Sequence, residues 1–100
     1  MDEVLKFLGL LYRGNELVIG LELENAIKKG KVRAIAFASD ISINSENSIL
    51  SLISEKPMPV TKFSSKESLG QALGKTLITM VGFKSTKAYY SFITKLKGVN

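Results

Sequence analysis

The chain has 100 residues, with 14 basic and 9 acidic side chains and no Cys, His or Trp. This length, with 45% apolar residues, suits one domain around one core and argues against a disordered or multidomain chain. Without Cys there is no disulfide and no thiolate nucleophile, and without His the commonest metal ligand and the usual neutral-pH general base are missing. We therefore expect a protein that is not an enzyme and that uses no metal or other cofactor.

The excess positive charge lies in the second half of the chain. Residues 1–50 hold six basic and seven acidic side chains, whereas residues 51–100 hold eight and two. Basic surface attracts polyanions such as nucleic acid or anionic lipid. The start, Met1-Asp2-Glu3, is acidic where a signal peptide is basic, and no apolar run approaches the roughly 20 residues that span a bilayer. We therefore expect a cytoplasmic protein without a membrane partner.

The first half of the chain alternates helical and extended patterns. Apolar residues at helical spacing predict a helix over residues 2–12, and a turn then leads to the short extended piece Leu17-Val18-Ile19. A second helix is expected over residues 21–29, with Gly30 ending it. The nearly continuous apolar run 32–38 predicts a strand that is covered on both faces.

The second half continues this alternation to the end of the chain. Its predicted elements are a helix over residues 44–55, a strand over 60–63, a helix over 65–73, a strand over 77–81 and a last helix that begins at Ser85 or Thr86. Ser64 and Glu67 have the spacing of a capping box for the fourth helix. The order of elements predicts a three-layer α/β/α sandwich, with helices on both faces of a small sheet, in a single domain over residues 1–100.

Two features that resemble catalytic motifs do not support catalysis. Glu22 and Glu24 lie two apart on a predicted helix, so they do not face each other as an acid/base pair would. The tract 70–76 ends in Gly-Lys-Thr like a phosphate-binding loop, but its two glycines are one residue too close together. It also follows a helix and precedes a strand, the reverse of the order which that motif requires.

Three loops rich in Gly or Asx residues, 14–20, 39–44 and 74–76, separate the predicted elements. In α/β sandwiches binding residues gather on loops at one end of the sheet, and backbone amides at a helix N-terminus bind phosphate. The spacing leaves open whether the three loops share an end. None of them carries an aromatic residue, which weighs against binding of single strands by stacking.

Four tracts of the chain carry a resemblance to a known family. They are residues 8–20 (LGLLYRGNELVIG), 26–31 (AIKKGK), 36–40 (AFASD) and 65–75 (SKESLGQALGK). In this order and with these gaps they resemble the L7Ae/L30e ribosomal protein superfamily, and most closely its small bacterial YlxQ-like branch. The resemblance implies an α/β/α sandwich with a four-stranded mixed sheet. It also implies binding of structured RNA, at a kink-turn or an internal loop, and association with the ribosome.

The resemblance further implies where RNA would bind. The family grips RNA with a Gly-x-Asn-Glu motif and a following Lys at the start of its second helix, and with the loop after its LGxAxG tract. An ungapped alignment on residues 26–30 places Leu21, Glu22 and Asn25 at the Asn, Glu and Lys positions, so that only Glu22 is retained.

Three groups of RNA-binding residues are expected from the resemblance and from the basic side chains near the loops. Those expected at base edges are Gly20, Leu21, Glu22 and Asn25. Those expected to shape the neighbouring loop are Asp40 and Ile41. Those expected at phosphates are Arg13, Lys28, Lys66, Lys75 and the adjacent Thr76.

An alternative interpretation keeps the fold but not the RNA. The substituted second-helix motif favours a protein-interaction module, as do Tyr89 and Tyr90, one of which cannot join the buried stripe of Phe92 and Ile93. A continuous positive rim at the start of the second helix would support RNA binding. An exposed apolar patch of several hundred Å² would instead support a protein partner. The sequence leaves the oligomeric state open.

Overall fold

The computed structural model describes residues 2–98, and these form five helices and four strands in the predicted alternation. In chain order they are α1 (Glu3–Arg13), β1 (Leu17–Ile19), α2 (Glu22–Lys28), β2 (Ala34–Phe37), α3 (Ile43–Leu52), β3 (Val60–Lys62), α4 (Lys66–Ala72), β4 (Met80–Phe83) and α5 (Thr86–Leu96). Between residues 2 and 98, every helix is too short or too polar to cross a membrane.

The four strands form one mixed sheet in the order β1-β4-β2-β3. Strand β4 pairs antiparallel with both β1 and β2, whereas β2 and β3 are parallel. A parallel pair requires a crossover connection, which α3 supplies. Helices cover both faces of the sheet. The predicted three-layer α/β/α sandwich with a four-stranded mixed sheet is therefore confirmed.

Alternation along β2 divides the core into two layers. Ala34 and Ala36 face α1, α4 and α5, while Ile35 and Phe37 face α2 and α3. All four side chains are buried. Successive residues of a strand point to opposite faces, so a sheet covered on both sides requires the continuous apolar run seen in the sequence.

The last strand lies further along the chain than predicted. The apolar run 77–81 predicted a strand, but β4 begins at Met80 and Leu77 is half exposed in the preceding loop. Gly82 belongs to the strand, where it pairs with Val18 and Ile35, and a side chain there would overlap Leu23 of α2. The strand therefore uses a glycine where it packs closely against a helix, a contact that local hydropathy does not report.

Several other elements are shorter than predicted, β2 and α3 among them. Strand β2 comprises residues 34–37 of the apolar run 32–38. Helix α3 ends at Leu52 instead of residue 55, and Ser54 Oγ donates to the carbonyl oxygen of Ser51 at 2.8 Å just beyond its end. A serine side chain that bonds a terminal carbonyl competes with continuation of the helix.

The start of α4 differs from the predicted capping box. Ser65, not Ser64, is the N-cap, and its Oγ accepts a hydrogen bond from Ser68 N at 3.1 Å. Ser64 adopts a left-handed conformation with φ 64°. Asp40 supplies a second cap across the chain, because its Oδ1 accepts from Lys66 N at 2.9 Å. Two side chains thus satisfy N–H donors that the first turn of the helix cannot pair internally.

Candidate nucleic-acid interface

The strand directions place parts of all three predicted loops at the same end of the sheet. Because β4 runs antiparallel to β1 and β2, the ends of those two strands lie beside the beginning of β4. Residues 20–21, 39–42 and 74–79 therefore share one end, which we call the loop end. Glu16 lies at the opposite end, where its carbonyl oxygen accepts from Lys84 N at 3.0 Å.

The turn into α2 presents an apolar side chain at the loop end. Gly20 has φ +70°, a conformation that favours glycine. Leu21 follows at the N-cap position, where its side chain makes no capping hydrogen bond and is 97% exposed. Asn, Asp, Ser or Thr at this position would accept a bond from the first turn. Helix α2 therefore begins without a side-chain cap and with a leucine projecting into solvent.

A groove of about 550 Å³, which we call the edge groove, runs along β1 from the loop end. Gly20, Leu21 and Glu22 line it together with Lys75, which lies more than fifty residues later in the chain. At its far end lie Asn15 and Lys84, whose side chains are joined by an Nζ–Oδ1 hydrogen bond of 3.0 Å. The structure thus assembles four of the predicted RNA-binding residues, Gly20, Leu21, Glu22 and Lys75, on one surface.

A second groove of about 410 Å³, which we call the apolar groove, lies between α2 and α3 on the other side of Leu21. Apolar side chains and two serine hydroxyls line most of it: Leu21, Leu23, Ile49, Leu77, Ile78, Met80, Ser45 and Ser48. Chemically, an apolar slot with hydroxyls beside it gives an unstacked nucleotide base a surface to pack on and groups to bond.

Asp40 and Lys66 hold the loop end together through the backbone. The Asp40 carboxylate accepts from Lys66 N at 2.9 Å, and the Lys66 carbonyl oxygen accepts from Ile78 N at 3.0 Å. Ile41 is buried against α2 and α3, so its side chain supports the loop from within the core. These contacts connect the segment after β2 to the segment before β4.

The loop before β4 lies directly on α4. Lys75 N donates to the carbonyl oxygen of Gly70 at 2.7 Å. A Cβ at Gly70 would lie 2.5 Å from the Thr76 carbonyl oxygen, much closer than van der Waals contact allows. Glycine at position 70 therefore permits the close approach that fixes Lys75 and Thr76, both exposed, at the loop end.

Two predicted phosphate contacts lie elsewhere. Lys28 is at the other end of α2, and its Nζ lies 3.5 Å from Glu24 Oε1. Arg13 ends α1 beside the last turn of α4, since a Cβ on Gly9 would be 3.5 Å from Arg13 Nη1 and 2.9 Å from the Ala72 carbonyl oxygen. The structure does not bring Lys28 together with the residues of the loop end.

A third groove of about 620 Å³, which we call the basic groove, lies along the flank of α2. The predicted residues Glu22 and Asn25 line it with four basic side chains that the sequence reasoning missed: Lys29, Lys31, Arg33 and Lys84. The signal for three of them was the tract KKGKVR after the second helix. From this tract the interpretation took only Lys28 as a phosphate contact and used the rest for the resemblance, the end of the helix and the following strand. Positive charge therefore borders α2 on one flank, while Leu21 and Leu77 border the other.

The two tyrosines of α5 have different environments, as expected because adjacent residues of a helix cannot both lie on its buried face. Tyr89 is 4% exposed and its ring packs edge-on against Phe83 at 5.3 Å, whereas Tyr90 is 54% exposed. Burial raises the pKa of Tyr89 above the ordinary 10.0, and the neighbouring Tyr90 adds to this rise. Tyr90 is the exposed aromatic of the pair, and Tyr89 belongs to the core.

Comparisons with known proteins agree with this architecture. A model of the family "Ribosomal protein L7Ae/L30e/S12e/Gadd45 family" matches residues 2–91. A Staphylococcus aureus (strain N315) protein named RNA-binding protein is 34% identical over 64 residues, which cover 63% of this chain and 76% of that protein.

Two solved structures share the fold. A protein with unknown function from Bacillus halodurans C superposes with a TM-score of 0.84 at 24% identity, over 97% of this chain and 99% of that one. The Giardia lamblia 15.5kD RNA binding protein superposes with a TM-score of 0.72 at 18% identity, over 96% of this chain and 82% of that one.

Proposed function

The chain belongs to the ribosomal protein L7Ae/L30e/S12e/Gadd45 family, and from this premise we propose that it is a non-catalytic, cytoplasmic protein that binds structured RNA. We assign it to the YlxQ-like type, associated with the ribosome and recognising a kink-turn or an internal loop. The observation that carries the proposal is the meeting of Gly20, Leu21 and Glu22 with Lys75 in the edge groove. The names of the Staphylococcus and Giardia proteins support RNA as the ligand.

In this proposal RNA lies across the start of α2, and each of the three grooves contacts a different part of it. Lys75 at the loop end and Lys84 in the basic groove neutralise phosphates, which position the RNA without reading its sequence. The Glu22 carboxylate accepts hydrogen bonds from amino groups on base edges. An unstacked base packs in the apolar groove between Leu21 and Leu77.

Leu21 sets a limit on base recognition at this site. It occupies the position at which the resemblance places an asparagine, and its side chain can neither donate nor accept a hydrogen bond. A well-formed amide contact to a base contributes about 1–3 kcal/mol of discrimination. We therefore expect the protein to depend more on RNA shape and phosphate contacts than on base-edge contacts at residue 21.

Filter binding to two RNAs of equal length, one with a kink-turn and one a plain duplex, tests this function at two salt concentrations. We expect the kink-turn RNA to bind at least about tenfold more tightly at both concentrations, since groove contacts add to the shared phosphate term. Lys75→Gln should weaken both and lower the slope of log K against log[salt] by about one. Lys97→Gln, a change of equal charge on an exposed residue after α5, serves as the matched control. Equal, weak binding of both RNAs would contradict structure-specific recognition.

One observation favours a second function, a protein-interaction module that has lost specific RNA recognition. Leu21 is 97% exposed, Ile43 65% and Leu77 50%, so large apolar side chains project at and near the loop end. Contiguous exposed apolar surface marks protein interfaces. This function becomes the better account if the two RNAs bind equally and a Leu21→Asn variant restores preference for the kink-turn.

A further inference from the structure

A fourth groove, of about 590 Å³, lies at the end of the sheet opposite the loop end. Strands β2 and β3 begin there and β4 ends there, as their register shows. The groove lies between the last turns of α2 and α3 and the segment that leads into β3. We call it the far groove. Its described lining residues are all different from those of the edge groove and the apolar groove, and it shares Gly30 and Arg33 with the basic groove.

The floor of the far groove is apolar and incompletely covered. Ile27, Leu52 and Met58 line it, and each packs against the core between α2 and α3 while remaining partly accessible. Pro57 and Pro59 form its wall. Because proline restricts the backbone, this wall loses less conformational freedom on binding than a flexible loop would. An incoming apolar side chain would complete the burial of the three floor residues.

The rim of the far groove is positively charged. Lys28, Arg33 and Lys56 line it with Glu55, and because Lys28 Nζ lies 3.5 Å from Glu24 Oε1, Arg33 and Lys56 supply the excess positive charge. Arg33 Nη1 donates to the Gly30 carbonyl oxygen at 3.1 Å, which holds the guanidinium in place and leaves further N–H donors free for a ligand. Lys56 is exposed. A ligand that matches this groove therefore has an apolar centre and negative flanks.

The chemistry of the lining favours a peptide over RNA. Among the described residues that line it, Thr86 is the one with a side-chain hydroxyl, so this groove offers fewer groups to bond a base edge than the apolar groove does. Nucleic-acid surfaces offer phosphates but no aliphatic side chain to fill the space above Ile27, Leu52 and Met58. An acidic peptide with a large aliphatic or aromatic residue satisfies both the floor and the rim.

We propose that the far groove docks an acidic segment of another protein, which inserts an apolar side chain between the ends of α2 and α3. Lys56 and Arg33 bind carboxylates of that segment, and Met58 with Ile27 contacts the inserted side chain. The docking site is at the opposite end of the sheet from the loop end, and Arg33 is the basic side chain that it shares with the basic groove. This inference does not depend on the proposed RNA-binding function.

The test uses the full chain, labelled with ¹⁵N, and a panel of capped hexapeptides. Each probe has two acidic residues on either side of a central pair chosen from Leu, Ile, Met and Phe. We expect at least one probe to shift the backbone amides around Ile27, Lys56 and Met58, with a Kd on the order of 1 mM or tighter. The same probe with Lys and Arg flanks, or with a Ser-Ser centre, should bind at least about fivefold more weakly.

Charge-reversal variants complete the test. Lys56→Glu combined with Arg33→Glu should weaken the best probe at least about tenfold, and the milder Lys56→Gln should weaken it about threefold without affecting folding. Lys75→Glu, at the loop end, should leave peptide binding unchanged and serves as the matched control. The proposal is overturned if no probe of the panel shifts these amides. It is also overturned if the basic probe binds as well as the acidic one, or if an RNA duplex shifts the same amides more strongly.

Discussion

Gly70→Ala is the substitution whose effect on stability follows most directly from the structure. The new Cβ would lie 2.5 Å from the Thr76 carbonyl oxygen and 3.0 Å from Leu77 N, and both atoms belong to the backbone. Ordinary contact needs about 3.5 Å, so the loop that carries Lys75 and Thr76 would have to retreat by about 1 Å. Overpacking of this kind costs about 1–3 kcal/mol. Loss of the bond from Lys75 N to the Gly70 carbonyl oxygen costs about 1 kcal/mol more.

The helical preference of alanine offsets part of this cost, because Ala is favoured over Gly in a helix by about 1 kcal/mol. We expect Gly70→Ala to lower the free energy of unfolding by about 2 kcal/mol, and the melting temperature by about 8–16 °C, in urea and thermal denaturation. Gly14→Ala is the matched control. Gly14 has φ −83°, and a Cβ there meets the Leu10 carbonyl oxygen at 3.4 Å, so Gly14→Ala should leave the free energy of unfolding unchanged or raise it by up to about 1 kcal/mol. A Gly70→Ala protein as stable as wild type would refute this account of the loop.

Two further predictions concern the cap of α4 and the buried tyrosine. Asp40→Ala should lower the free energy of unfolding by about 1 kcal/mol in urea titrations, because Lys66 N loses its acceptor. Asp40→Asn keeps an acceptor oxygen, and an equal loss in both variants would contradict a hydrogen-bonded cap. Burial raises the pKa of Tyr89, so the folded protein keeps this proton at pH values where the unfolded chain has lost it. Stability should therefore decline as pH rises above about 10, and Tyr89→Phe should decline less; identical pH profiles would contradict the burial of this hydroxyl.

Hydropathy patterns predicted the elements whose burial depends on their own residues. The run 32–38 indicated a strand covered on both faces, and Ala34 to Phe37 are buried in that way because side chains alternate along a strand. The stripe of α5 was equally informative, with Ala88 and Phe92 both buried.

Elements whose limits depend on distant contacts were less predictable. Local hydropathy predicts Leu77 to be a strand residue. The strand β4 instead begins later and includes Gly82 and Phe83. The limits of β4 follow from its pairing with β1 and β2, which lie far away in sequence, and Leu23 packs closely against Gly82 there. No property of the apolar run 77–81 contains that information.

The residues of the candidate site were also predicted only in part, because some of them come together through distant contacts. The resemblance indicated Gly20, Leu21 and Glu22, and the structure adds that Lys75 shares their groove because β1 and β4 are neighbours. Lys28 was included through its place on the same helix. Six residues of helix separate it from Glu22 by about 9 Å, which carries it towards the other end of the sheet. The basic groove was missed because Lys84 joins Lys29 and Lys31 only through the strand order. Contact of these residues with RNA is a prediction, which binding experiments test.

Mapping of backbone amide shifts as a kink-turn RNA is added to the ¹⁵N-labelled protein tests the central claim most directly. If the loop end binds RNA, the largest changes will fall on residues 20–22 and 75–78, with smaller changes along the basic groove. Changes concentrated at Ile27, Lys56 and Met58, or no change at residues 20–22 when the RNA is saturating, would contradict the assignment of this surface.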